Sequence, residues 1–143
     1  EEMESGKENV QQEDYSHLRV LVVDDEPMNR KIAAEMLRDL NVKAELAEDG
    51  FAAVQMASER SYDLILMDYL MPGLNGEAAC REIREDSSHC SADATFYMLT
   101  ADDSEETRNS AMQSGFNGYL MKPLTQESLQ GLLRSFAAGG ADH

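Results

Sequence analysis

Positive charge is scarce in this chain: 12 Lys and Arg stand against 28 Asp and Glu, a formal net charge of −16 over 143 residues. Such a surface repels phosphate backbones and anionic lipid, which argues against nucleic acid and membrane partners. Cysteine is scarcer still. Cys80 and Cys90 are too few for a disulfide framework, and neither sits in a CxxC or Cys/His cluster, so free thiols in a reducing cytosol are expected. No apolar run approaches the roughly 20 residues of a membrane span, and no basic-then-apolar segment opens the chain. The expectation is one cytoplasmic domain with one ordinary core and no internal repeat.

Residues 1–17 carry six carboxylates with few apolar residues between them, and they read as a flexible acidic tail or linker. Opening on Glu and closing on AAGGADH, the chain reads as a domain excised from a longer protein, with residues 139–143 expected to form a disordered C-terminal tail. Between them, 18–138, short apolar runs alternate with helical periodicities, the signature of βα units around a parallel sheet. The runs RVLVV (19–23), DLILM (63–67), TFYML (95–99) and GYLM (118–121) lack polar alternation, as strands covered on both faces do. VKAEL (42–46) alternates and reads as an edge strand. Ile32, Met36, Leu37 and Leu40 recur at helical spacing, as do Leu129, Leu132, Leu133 and Phe136, and both sets are read as core faces. Further helices are expected near 51–59, 75–86 and 104–114, the last with the weakest apolar face.

On this frame Asp24 and Asp25 follow the first strand, Asp68 ends the third, Thr100 the fourth and Lys122 the fifth. The carboxyl ends of parallel strands line one edge of the sheet, where ligands bind. Three carboxylates brought together resist ionisation unless a counter-charge joins them, and hard oxygen ligands without Cys or His suit Mg²⁺. Lys122 supplies a positive charge for a phosphoryl oxygen and Thr100 a hydroxyl donor. Asp68 is left as a nucleophile able to form an acyl phosphate. Each piece alone has a plainer reading: an Asp pair favours caps and turns, Asp68 before Pro72 and Gly73 can simply start a turn, and Tyr119 can be a core aromatic. The five residues at four strand ends, taken together, are what is specific.

The stretches VLVVDDEPMNR, LILMDYLMPGLNGE, MLTA and GYLMKP resemble, in order and spacing, the receiver domain of two-component response regulators, over about residues 18–138. The resemblance implies a flavodoxin-like, doubly wound (βα)5 α/β fold with a parallel five-stranded sheet ordered 2-1-3-4-5. It implies Asp68 as phosphoacceptor, and Asp24, Asp25, Asp68 and the backbone carbonyl of Leu70 as the Mg²⁺ site. Thr100 matches the switch hydroxyl, Tyr119 the aromatic switch position, Lys122 the phosphate-binding lysine, and Pro123 the proline after it, usually joined by a cis peptide. The implied partners are a histidine kinase or a histidine phosphotransfer protein. The implied chemistry is the domain's own aspartyl phosphorylation and slow autodephosphorylation, any kinase activity residing outside this chain. Asn29 and Arg30 resemble receivers of hybrid histidine kinases, and a stand-alone phosphorelay receiver fits the same residues.

Leu70 and Asp102 stand at positions that tune phosphate lifetime in receivers: Leu70 is apolar where some receivers place a polar group able to orient the attacking water, while the Asp102 carboxylate either reaches that water and assists it or repels its approach. His17, His89 and His143 lack the amphipathic helix of a phosphotransfer bundle and are read as solvated; Met67 and Met98 are read as core filler beside the site. Phosphohydrolases of the haloacid dehalogenase type use similar residues in another order, with the nucleophile closing the first strand in a DxD motif. A flavin carrier would need a Ser/Thr/Gly-rich loop where DDEPMN stands. A docking module that never turns over phosphate shares every residue above.

Overall fold

The computed structural model describes residues 15–71, 73–86, 90–102 and 104–142, with side chains described through 135. The expected acidic segment through residue 14, together with Pro72, His89, His143 and the side chain of Phe136, lies outside these. Among the described residues five strands alternate with five helices: β1 Val20–Val23, α1 Pro27–Asp39, β2 Ala44–Ala47, α2 Gly50–Glu59, β3 Leu64–Asp68, α3 Gly76–Glu85, β4 Thr95–Thr100, α4 Glu105–Ser114, β5 Gly118–Met121 and α5 Gln126–Asp142. All strand pairs are parallel and the sheet order is β2-β1-β3-β4-β5, the doubly wound flavodoxin-like arrangement. In register, Val23 of β1 pairs with Met67 of β3, and Asp68 of β3 with Leu99 of β4. The acidic and hydroxyl residues that follow are therefore delivered to one edge.

Because side chains alternate along a strand, each covered strand feeds two cores. Leu21, Val23, Ile65, Met67, Phe96 and Met98 pack with Ala53, Ala79, Cys80 and Ile83 of α2 and α3. Val20, Val22, Leu64, Leu66 and Leu99 pack on the other face with Leu37 of α1 and Leu129, Leu132 and Leu133 of α5. Helix starts are set by side chains that accept from orphan backbone N–H groups: Asp49 from Ala52, Asn75 from Ala78 and Ser104 from Thr107. Helix α1 opens instead with Pro27, whose missing donor costs nothing in the first turn.

Four expectations are corrected. Tyr15 is 2% exposed and Leu18 N–H donates to its carbonyl, so the ordered domain begins ahead of residue 18. The buried face of α1 runs through Ala33 and Leu37, while Ile32 is 40% exposed. Strand β5 is only half-buried because it is the second edge of the sheet, not a strand covered on both faces. Helix α5 continues to Asp142, past the expected end of the domain at 138. The edge position of β2 is as expected, and its residues are shifted to 44–47.

Candidate functional site

Strand β1 ends at Val23, and the next residue, Asp24, is 2% exposed. Its backbone N–H donates to Ala47 O, its side-chain Oδ1 accepts from Glu26 N at 2.9 Å, and its carbonyl accepts from Arg30 Nη1 at 2.8 Å. The backbone of Asp24 is thus held at both its N–H and its carbonyl, and one oxygen of its carboxylate is held by Glu26 N. Asp68, 6% exposed, is the last residue of β3, the strand end expected of it from sequence. Gly76 makes this end of the strand possible: a Cβ there would lie 2.4 Å from the Asp68 carbonyl oxygen, so α3 can start against β3 only without a side chain. One carboxylate oxygen from each of Asp24, Asp25 and Asp68 lies within 4.8 Å of the other two.

Lys122 enters from the end of β5, its backbone N–H donating to Thr100 O, and Lys122–Pro123 is a cis peptide. Its Nζ lies 2.8 Å from Asp68 Oδ1 and 3.6 Å from Asp24 Oδ2. One ammonium therefore faces three carboxylates, and negative charge is left over. The consequence shows in the titration of the pair. Burial, joined by the charges of Asp24 and Asp25, pushes the Asp68 carboxyl above its ordinary range against the opposing hydrogen bond from Lys122. Burial also works to lower the Lys122 pKa, but the Asp68 hydrogen bond and the charges of Asp68 and Asp24 outweigh it and hold the ammonium protonated. Three hard oxygen donors with excess negative charge and no soft ligand fit a small divalent cation such as Mg²⁺.

Thr100, 3% exposed, closes the same edge from β4. Its Oγ1 accepts from Asp102 N at 2.9 Å. Asp102 in turn accepts from Thr107 Oγ1 at 2.7 Å and from Ser104 N at 2.9 Å, and these bonds, that from Thr107 first, hold its carboxyl below the usual range. The switch hydroxyl expected from sequence is thereby tied to the first turn of α4. Tyr119 is half-buried on β5, with its hydroxyl 3.4 Å from Arg108 Nη1 and the Arg108 guanidinium 6.0 Å from its ring centre. Leu70 is 73% exposed beside the carboxylates, whereas Met67 and Met98 are fully buried in the core behind them. His17 is exposed, as expected.

The structure brings Asp24, Asp25, Asp68 and Lys122 together, and Thr100 stands at the same edge of the sheet. Thr107 and Arg108, which link Asp102 and Tyr119 to α4, were not singled out by sequence. Their only signal is weak: Ser104, three before Thr107, has the form of a helix cap.

Comparison with known proteins agrees with this geometry. The family model described as response regulator receiver domain matches residues 20–134. The sensor protein GacS of Pseudomonas syringae pv. syringae is 35% identical over 112 residues, covering 78% of this chain and 12% of that protein. This chain spans less than half the length of several curated relatives that it matches. The receiver domain of sensor histidine kinase PA1611 from Pseudomonas aeruginosa PAO1, solved with a magnesium ion coordinated in its active-site cleft, superposes with a TM-score of 0.75 at 36% identity, covering 83% of this chain and 96% of that one. The receiver domain of Ssk1 from Saccharomyces cerevisiae, solved with the histidine phosphotransfer protein Ypd1, gives a TM-score of 0.76 at 30% identity, covering 83% and 88%. A carboxylate cluster and a lysine at the carboxyl edge of a 2-1-3-4-5 sheet, in a chain matched over most of its length, place this protein in the response regulator receiver domain family of two-component signalling.

Proposed function

We propose that Asp68 accepts a phosphoryl group from the phosphohistidine of a partner histidine kinase or histidine phosphotransfer protein in the cytoplasm. The observation that carries this reading is the pairing of Asp68 Oδ1 with Lys122 Nζ at 2.8 Å inside a cluster of three carboxylates. Asp68 attacks phosphorus in line, the P–N bond of the donor breaks as the new P–O bond forms, and catalysis rests on positioning and charge neutralisation. Asp24, Asp25, Asp68 and the Leu70 carbonyl would hold Mg²⁺. When bound, that ion supplies positive charge against the phosphoryl oxygens. Lys122, already paired with Asp68, moves its ammonium onto a phosphoryl oxygen as the acyl phosphate forms. Thr100 exchanges its bond from Asp102 N for one to the phosphoryl group, and Tyr119 takes up the space released, which loosens the first turn of α4.

The test is intact-mass measurement after treatment with Mg²⁺ and acetyl phosphate. The wild-type chain is expected to gain one phosphoryl group and folded Asp68→Asn none. A gain that survives in the variant would assign the chemistry elsewhere.

A further inference from the structure

In a chain with net charge −16, cations should be dispersed, yet five of the 12 Lys and Arg lie along one edge of the sheet. A groove of about 540 Å³ between α1 and edge strand β2 is lined by Arg30, Lys31, Arg38 and Lys43, with Glu35 as its one carboxylate. A second depression, lined by His17, Arg19, Lys43 and Glu45, shares Lys43 and Ala44 with it. The two form one track from the start of β1 to the flank of α1. Glu45 adds little negative charge to that track, because its carboxylate is held by Arg60 at 2.7 Å and by the Tyr62 hydroxyl at 2.6 Å. Cations elsewhere have partners: Lys122 has Asp68, and Arg84 has Gly115, Ala92 and Asn117. Among the described residues Lys31, Arg38 and Lys43 make no ion pair, and all three are exposed.

We propose that this basic track is the docking site of the chain's own acidic segment, residues 1–14. Charge complementarity is the first reason. That segment carries Glu1, Glu2, Glu4, Glu8, Glu13 and Asp14 against the single cation Lys7. Position is the second. The segment joins the fold at Tyr15, and Ser16 and His17, the next two residues, already line the track. Reach is the third: 14 residues extend up to about 45 Å at roughly 3.3 Å each, several times the roughly 13 Å of four-residue β2. Exposed ion pairs are individually weak, but tethering raises the effective concentration to the millimolar range, so a weak contact is populated. The track flanks α1, whose Arg30 lines it and also donates to the Asp24 carbonyl.

The experiment uses the full chain with a nitroxide at Val10→Cys in a Cys90→Ser background, Cys80 being buried with its thiol pushed up to about 12 and so unreactive. The expected result is selective broadening of the amides of Lys31, Arg38, Lys43 and Ala44, with peak intensities reduced about twofold or more at low ionic strength and recovered near 1 M salt. Lys31→Glu with Arg38→Glu and Lys43→Glu should abolish it while leaving the remaining spectrum in place. Uniform broadening, a maximum on another face, or a pattern unchanged by charge reversal would overturn the proposal. So would broadening that passes from labelled to unlabelled chains in a mixture, which would mean that a second copy supplies the occupant.

Discussion

Asp68 is held in a setting that works against its own ionisation: it is 6% exposed, two further carboxylates are close by, and one ammonium answers them. Its folded pKa is raised first by burial, so the folded state holds this proton more tightly than the unfolded chain does. The stability that Asp68 contributes is therefore complete at acid pH and is lost as pH rises through the raised value. Without divalent cation, Asp68→Asn should raise the melting temperature at about pH 7.5, and the gain should shrink as pH falls towards about 4. Melting curves at the two pH values check this; a destabilised variant at neutral pH would show that the Lys122 pairing outweighs burial. Leu70 carries the second prediction at this scale. It is 73% exposed beside Asp68 and offers nothing to orient a water for in-line attack on an acyl phosphate. Leu70→Asn should speed phosphate loss from Asp68 about threefold to tenfold, roughly 0.7–1.4 kcal/mol of barrier, followed by radiolabel decay.

At the scale of elements, α3 is tied to β4 and to the turn before β5 by a single arginine. Arg84 donates from Nε to Gly115 O at 2.7 Å, from Nη1 to Ala92 O at 3.0 Å and from Nη2 to Asn117 Oδ1 at 2.7 Å, and lies 4.5 Å over the ring of Phe96. Asn117 Oδ1 also accepts from Phe96 N, so one fork links α3, β4 and the turn before β5. Arg84→Ala should cost about 2–3 kcal/mol in urea unfolding, and Arg84→Lys should recover less than half, since an ammonium cannot reproduce the planar fork. Sequence pattern gave no hint of this fork: a lone arginine on a helix has no periodicity, and its partners lie 8 to 33 residues away. The strands were legible because full coverage leaves unbroken apolar runs, as in β1 and β3. The face of α1 was misjudged for the opposite reason. Burial there falls on small Ala33, while larger Ile32, one position and about 100° around the helix, stays 40% exposed. Edge strand β5 reads as apolar yet is half-buried, because edge position is a property of the sheet and not of the strand.

For the whole molecule, the excess of 28 acids over 12 bases makes folding sensitive to counter-charge, and the carboxylate cluster concentrates that sensitivity at one point. A cation that binds only the folded state stabilises it by about 2.7 kcal/mol at 100 times its Kd, a shift of about 5–10 °C for a domain of this size. Mg²⁺ is expected to raise the melting temperature by that order, and sodium chloride at matched ionic strength by much less. Asp25→Ala removes a half-buried carboxylate while leaving the buried Asp24, Asp68 and Lys122 group in place, and should erase the Mg²⁺ increment. An undiminished increment would put the cation elsewhere on the acidic surface. The whole arrangement was legible in outline because the βα order alone carries distant residues to one edge. The tie from Thr100 through Asp102 to Thr107 was not, because it runs through a backbone N–H.

Asp68 alone is expected to carry the phosphoryl group, and locating the acyl phosphate in the chain decides this. The chain is treated with Mg²⁺ and acetyl phosphate, reduced with borohydride to convert an aspartyl phosphate to homoserine, and the peptides are sequenced by mass spectrometry. Homoserine at position 68 and nowhere else is the predicted result. Homoserine at position 24 or 25, or a phosphorylated chain without homoserine at position 68, would rule out Asp68 as the phosphoacceptor.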